Sequence, residues 1–539
     1  MNTRDEPKPR GIRQTMSDLH IWAGLLTGWF LYAMFLTGTV SYFRDEISQW
    51  MRPELPYQAQ VPDEALVAQR VVDQLAVLAP HATQWSLRLP DERSNSVSSF
   101  WRLAPRTPGQ RGFEEATFDP ATGAKVAARD TRGGEFFYRF HFQFHYMPVL
   151  WGRWLAGFCA MFMLVAIVSG VITHKKIFID FFTFRWGKGQ RSWLDAHNAL
   201  SVFGLPFHLM ITYTGLVTLM AMYMPWGEQA AFQTAAERQQ LTAELSAAAP
   251  SGQASGQKAA LAPVDDMVRQ AQARWGETHV ERVIVNHPGD AAARVLVTRG
   301  DEGRVSMSPQ YLLFEGASGQ LLQVKDHVGA AAETRGVLYA LHLGRFSDTT
   351  LRWLYFIVSL AGTAMVGTGL VMWIVKRRQK LPDPERPYFG FRLVERLNIA
   401  AIAGLSIAMA SLLWANRLLP LDLAQRGDWE IHVFFIVWAV TLLHAVLRPA
   451  REAWLTQLWA ATVVLALLPL LNAFTTARPI WHSIAQGDWV YAGMDLMLWA
   501  LAALHALMAL RLARHPQAAQ PARRKAPVAA MACAAGEGA

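Results

Sequence analysis

The chain has 539 residues, 52% of them hydrophobic and only 17% charged, against roughly 25% charged in an average soluble domain. This excludes a disordered chain and an ordinary cytosolic enzyme. The net charge of +9 does not imply a nucleic-acid partner, because the basic residues cluster beside apolar runs, where they report membrane topology. The two cysteines, Cys159 and Cys533, exclude a disulfide framework and a thiolate metal site.

A helix needs about 20 apolar residues to cross the hydrocarbon core of a bilayer. The first such run, Ile21 to Tyr42, is too long for a signal-peptide core and is followed by no small-residue cleavage site, so it is expected to stay as an anchor. Further runs are Leu150 to Thr173, Ala199 to Tyr223, Leu351 to Val375, Leu397 to Leu418, Ile431 to Leu447, Leu455 to Phe474 and Trp489 to Leu512. Five basic clusters flank them: Arg4 to Arg13, Lys175 to Arg191, Lys376 to Lys380, Arg448 with Arg451, and Arg523 to Lys525. Eight alternating spans bring all five to one side, which the positive-inside rule makes the cytoplasm. The expected order is a cytoplasmic N-terminus (1–19), a span (20–42), an outer domain (43–140), a second span with its preceding segment (141–174) and a cytoplasmic loop (175–196). A third span (197–223), a second outer domain (224–341), a fourth span (342–376) and a loop (377–396) follow. Four more spans (397–512) and a cytoplasmic tail (513–539) complete the chain.

The two outer loops resemble each other. Each has a helical stretch, Ala65 to Leu78 or Val264 to Trp275, and then strand-like segments, Trp85 to Leu89 and Ser99 to Leu103 or Val280 to Val285 and Arg294 to Thr298. Each ends in a turn with a late glycine, Phe118-Asp119-Pro120-Ala121-Thr122-Gly123 or Phe314-Glu315-Gly316-Ala317-Ser318-Gly319, suited to a hairpin. The membrane segments repeat as well. His20 precedes Thr37-Gly38 as His197 precedes Thr214-Gly215, His141 parallels His342, and Ser169-Gly170 parallels Thr368-Gly369. The fold class expected is an all-α polytopic membrane protein of about eight helices with two small α+β outer domains and a parallel repeat in the first four spans. Sites in such repeats often lie at the repeat interface.

Ionisable groups in spans are costly and mark function. His20, His174 and His197 fall near the cytoplasmic face, His141, His145 and His342 near the outer face, and His208 inside the third span. A single interfacial histidine is more often a satisfied surface residue than a ligand, so the set matters more than any member. On one straight helix His197 and His208 would share a face about 16 Å apart, room for two cofactors. Haem suits such sites: it is large, apolar and bound through imidazole. His141 and His145 could instead form a divalent-metal pair, but no carboxylate or cysteine cluster accompanies them. Gly38, Gly170, Gly215 and Gly369 allow close approach of backbones or a porphyrin.

Asp18-Leu19-His20-Ile21-Trp22-Ala23-Gly24-Leu25, Gly170 to Phe178, Asp195-Ala196-His197-Asn198 and Leu205-Pro206-Phe207-His208 resemble the PepSY-associated transmembrane helix family, over roughly Met16 to Arg378. The loop endings at Gly123 and Gly319 resemble the PepSY signature. That family includes inner-membrane ferric-siderophore reductases with b-type haems. The resemblance implies a bacterial inner-membrane oxidoreductase carrying two haems b, with His20, His141, His174, His197, His208 and His342 as leading ligands and His145 as a further candidate. His174 with His197, and His208 with His141, His145 or His342, are plausible pairings. The implied partners are a ferric siderophore, the bilayer, and a separate donor (a cytoplasmic reductase or quinol), because no Gly-rich dinucleotide fingerprint is present. The rivals are a PepSY-type binding or regulatory protein without redox activity, and a siderophore or iron transporter. The last four spans lie beyond the resemblance and could face quinone, dock a partner or serve as scaffold.

Overall fold

The structure is a computed structural model that describes residues 11–57, 62–91, 93–103, 112–247, 249, 252–276 and 278–514. The basic residues Arg4, Lys8, Arg10 and Arg523 to Lys525, and Cys533, lie outside these. Among the described residues seven helices are long and apolar enough to cross a membrane: Ile12–Ser41, Val149–Thr173, Thr349–Arg378, Phe389–Leu418, Arg426–Leu447, Ala450–Thr475 and Trp489–Arg514. Their starts follow local chemistry. Pro148 and Pro449 directly precede two of them, and the Asp348 carboxylate accepts from the Leu351 amide at 2.8 Å, filling an otherwise orphan donor.

Gln190–Phe203 and Leu205–Thr218 make an eighth crossing only if counted together, and they meet at 68°. Gly204 separates them and Pro206 lies in the first turn of the second. Proline brings no N–H to the preceding turn and its ring clashes with it. The straight helix expected to carry His197 and His208 on one face is therefore not formed.

The two loops build one sheet rather than two. Its strands are β1 (Gln84–Arg88), β2 (Val97–Arg102), β3 (Phe113–Phe118), β4 (Lys125–Val126), β5 (Val280–Asn286), β6 (Arg294–Arg299), β7 (Tyr311–Glu315) and β8 (Leu321–Lys325), in the order β4-β3-β2-β1-β5-β6-β7-β8. The halves join through antiparallel β1 and β5, where Ser86 faces Ile284 and the Gln84 amide donates to Asn286 Oδ1 at 2.6 Å. Helices Glu64–Leu78 and Val264–Trp275 share one core with it. Val67, Val71, Leu75, Met267 and Ala271 are buried there with Leu87, Val283, Val297 and Phe314. The late glycines make the turns expected of them: Gly123 and Gly319 have φ of +71° and +75°, a region that costs other residues strain.

Ion pairs staple the halves, Arg269 with Asp63 at 3.0 Å and His279 with Glu64. Burial disfavours a charged His279, but Glu64, 2.6 Å from its Nδ1, prevails and holds the imidazole above its ordinary pKa. A raised folded-state value means the contribution is complete below about pH 6.5 and fades as pH rises through the raised value. The sheet should therefore melt at lower temperature at about pH 9 than at about pH 6. His279→Gln should flatten that dependence, as read by tryptophan fluorescence; an equal slope in both proteins would refute the assignment.

The last four spans grip the segments that flank the first half of the sheet. Arg426 and Glu430, both wholly buried, pair at 2.7 Å. Glu430 also accepts from Thr131 at 2.6 Å and Asn416 at 2.8 Å. The Arg417 guanidinium lies 3.8 Å from the Trp50 ring centre and donates to the Trp50 carbonyl, while Trp50 Nε1 donates to Asp495 at 3.1 Å. A second join lies deeper in the bilayer, where Trp29 Nε1 donates to Asn398 at 2.9 Å.

Candidate functional site

Four of the predicted histidines form two facing pairs. His20, on Ile12–Ser41, faces His197, on Gln190–Phe203, with ring centres 6.1 Å apart. His141, on helix Gly133–Gln143, faces His342, on helix Ala330–Leu343, with centres 6.2 Å apart. The second pair sits beside the sheet, because its helices directly follow β4 and β8. The first lies toward the opposite membrane face. His20 and Met34, whose carbonyl holds His141, are 14 residues apart on one helix, roughly 21 Å of axial rise.

All four rings are seated the same way. Each turns Nδ1 to a helix carbonyl: His20 to Ala166 at 2.8 Å, His141 to Met34 at 2.6 Å, His197 to Met365 at 2.9 Å and His342 to Ile211 at 3.0 Å. A carbonyl only accepts, so Nδ1 carries the proton and Nε2 keeps its lone pair. Four residues beyond each carbonyl stands a glycine. A Cβ on Gly38 would lie 2.7 Å from His141, on Gly215 2.8 Å from His342, on Gly170 3.1 Å from His20 and on Gly369 3.2 Å from His197. The glycines, read from sequence as contact points for backbone or porphyrin, thus leave the space a ring edge fills. The residue before each glycine, Thr37, Ser169, Thr214 or Thr368, returns its hydroxyl to its own helix at 2.6–2.9 Å, which satisfies the hydroxyl beside the ring.

The other three candidates stand apart. His174 caps Val149–Thr173 and lies 3.2 Å from Asp180, not beside His197. His208 is buried against Phe35, with ring centres 6.4 Å apart, and its Nδ1 finds no partner among the described residues. Its Nε2 lies 3.4 Å from the Val358 carbonyl, and a Cβ on Gly362 would lie 2.9 Å from that nitrogen. His145 stacks on Phe435 at 5.5 Å in a loop where Phe144 and Tyr146 take positive φ. Among the described residues no group of three or more His, Cys, Asp or Glu is placed to hold a metal ion, so the divalent reading of His141 with His145 gains no further ligand.

The sequence singles out seven histidines and leaves their pairing open, with His174 beside His197 and His208 beside His141, His145 or His342 as plausible pairs; the structure instead brings His20 to His197 and His141 to His342. The signal was present: His20 and His197, and His141 and His342, occupy matching positions in the two repeats, and such residues meet where the repeats face each other. The carbonyl anchors Met34, Ala166, Ile211 and Met365 were missed, since a backbone acceptor leaves no mark on residue type.

Each pair brings two imidazoles together, with their rings oriented by backbone acceptors as the rings of metal-binding histidines are. Known proteins share this part of the chain. An uncharacterized protein of Pseudomonas aeruginosa is 26% identical over 385 residues, which cover 68% of this chain and 92% of that relative. The model of the PepSY-associated TM region matches residues 17–376, a stretch that holds both pairs and all four glycines, and the chain belongs to that family.

Proposed function

We propose that the protein is a bacterial inner-membrane electron carrier with two haems b, one per histidine pair, that reduces Fe(III) in a ferric siderophore on the sheet side. The single observation that carries this reading is the spacing of the rings. Two metal–imidazole bonds of about 2 Å, plus the distance from nitrogen to ring centre on each side, sum to about 6 Å, which matches both pairs. With Nδ1 protonated and Nε2 free, His20, His197, His141 and His342 would be the residues that hold the haem iron. When bound, the two groups supply one-electron transfer in series between the membrane faces. The chain's own residues orient the imidazoles, exclude water from the buried path and keep Nε2 deprotonated. One electron converts Fe(III) to Fe(II), which siderophores hold far more weakly, and a separate flavin- or quinol-type donor is oxidised to supply it.

The test is an absorbance spectrum of detergent-purified protein, oxidised and then dithionite-reduced, with a pyridine haemochrome assay. About two haems b per chain support the reading; a colourless protein, even after growth with added haem, overturns it. The glycines give a sharper prediction. Gly38→Val should displace His141 and remove about half the haem, whereas Gly24→Val on the same helix, with nothing within 4 Å of a Cβ, should leave the full amount.

A further inference from the structure

Between span Thr349–Arg378 and span Trp489–Arg514 runs a groove of ~2630 Å³. It extends through the membrane zone between the family core and the last four spans. Its walls are apolar and open: Ile357 and Leu507 line it with 52% and 56% of their surfaces exposed. In a bilayer such walls are covered by hydrocarbon, not water.

The two ends differ in charge. At the sheet end Arg93 and Arg352 both pair with Glu46, at 2.9 and 2.5 Å. At the far end six arginines, with Arg392, Arg396, Arg451 and Arg511 among them, line the groove against Glu385 and Glu395. Glu395 is already engaged by Arg378. Arg451 Nη2 is held by the Leu512 and Ala513 carbonyls at 3.1 Å, whereas Arg396 Nη1 is buried there with no hydrogen-bond partner among the described residues, a cationic donor whose burial an anion would offset. Arg392 with Arg396, Arg451 and Arg511 come from three different spans, so the cluster belongs to the groove and not to one helix end.

We infer that the groove holds an anionic phospholipid, its phosphate among Arg392, Arg396, Arg451 and Arg511 and its acyl chains along Ile357 and Leu507. Basic pockets between helices on the positive side of a membrane suit lipid phosphates. A quinol would fill the apolar length but has no charge to satisfy the arginines. This site is independent of the haem reading, and its test does not depend on haem.

The full chain is reconstituted in discs of equal phosphatidylglycerol and phosphatidylcholine, re-extracted, washed in non-ionic detergent, and its retained lipid measured by mass spectrometry. Phosphatidylglycerol should be enriched over its bulk share, and Arg392→Gln with Arg396→Gln should lower that enrichment by on the order of fivefold per arginine. If the double variant fails to elute as a monodisperse species, Arg392→Gln alone, at an exposed position, gives the same readout. Retained lipid of bulk composition, enrichment unchanged in the variants, or a quinone in place of phospholipid would each overturn the proposal.

Discussion

His197→Ala should remove one of two haems, lowering the pyridine haemochrome yield by about half, and stop siderophore reduction altogether. His20→Ala should do the same, because under the proposed function both rings, 6.1 Å apart, would hold one haem. His141→Ala and His342→Ala should each remove the other haem, and His197→Ala combined with His342→Ala should leave the protein colourless. By contrast His174→Ala and His208→Ala should retain both haems, since Asp180 lies beside the one and the other packs on Phe35 outside either pair. Loss of haem with His208→Ala but not with His20→Ala would refute the pairing while sparing the broader idea of a haem protein.

The second large effect concerns stability. Arg426→Ala leaves Glu430 charged and buried, which costs on the order of 3–5 kcal/mol. A fall of roughly 10 °C in the unfolding midpoint is expected, followed by tryptophan fluorescence in detergent. Arg426→Met combined with Glu430→Gln should recover most of it. That pair of changes removes both charges and keeps an amide for Thr131 and Asn416, which now donate to Glu430 at 2.6 and 2.8 Å. If single and double variants melt alike, the buried pair is not what anchors the last four spans to the first loop.

The spans were legible because length and apolarity alone set them, and the histidines because charge-bearing side chains are rare in spans. The two hairpin turns were legible because Gly123 and Gly319 sit where positive φ is needed. Other features were harder to read locally. The break at Gly204 was hidden by the apolar run that continues through Pro206, although proline itself gave notice of it. Strand β3 carries Glu114 and Glu115 on a largely exposed edge region, and β8 is exposed along most of its length, so neither shows a clear two-residue alternation. Which rings face each other depends on how the helices are rotated in packing. The join of β1 to β5 is set by which strand edges meet, and a strand's side chains do not encode its neighbour across an edge. The grip of Arg417 on Trp50 likewise unites residues whose roles are visible only together.

That join has a cost in time. Leu87 of β1 opposes Val283 of β5, so nearly two hundred residues, two membrane crossings among them, must be made before β1 gains that neighbour. Until then the first half presents a bare strand edge, the kind of surface that recruits other chains. Contacts of such long sequence separation slow folding. The nascent sheet is therefore the stage of biogenesis most exposed to misassembly, and the stage at which a chaperone on its side of the membrane would do most.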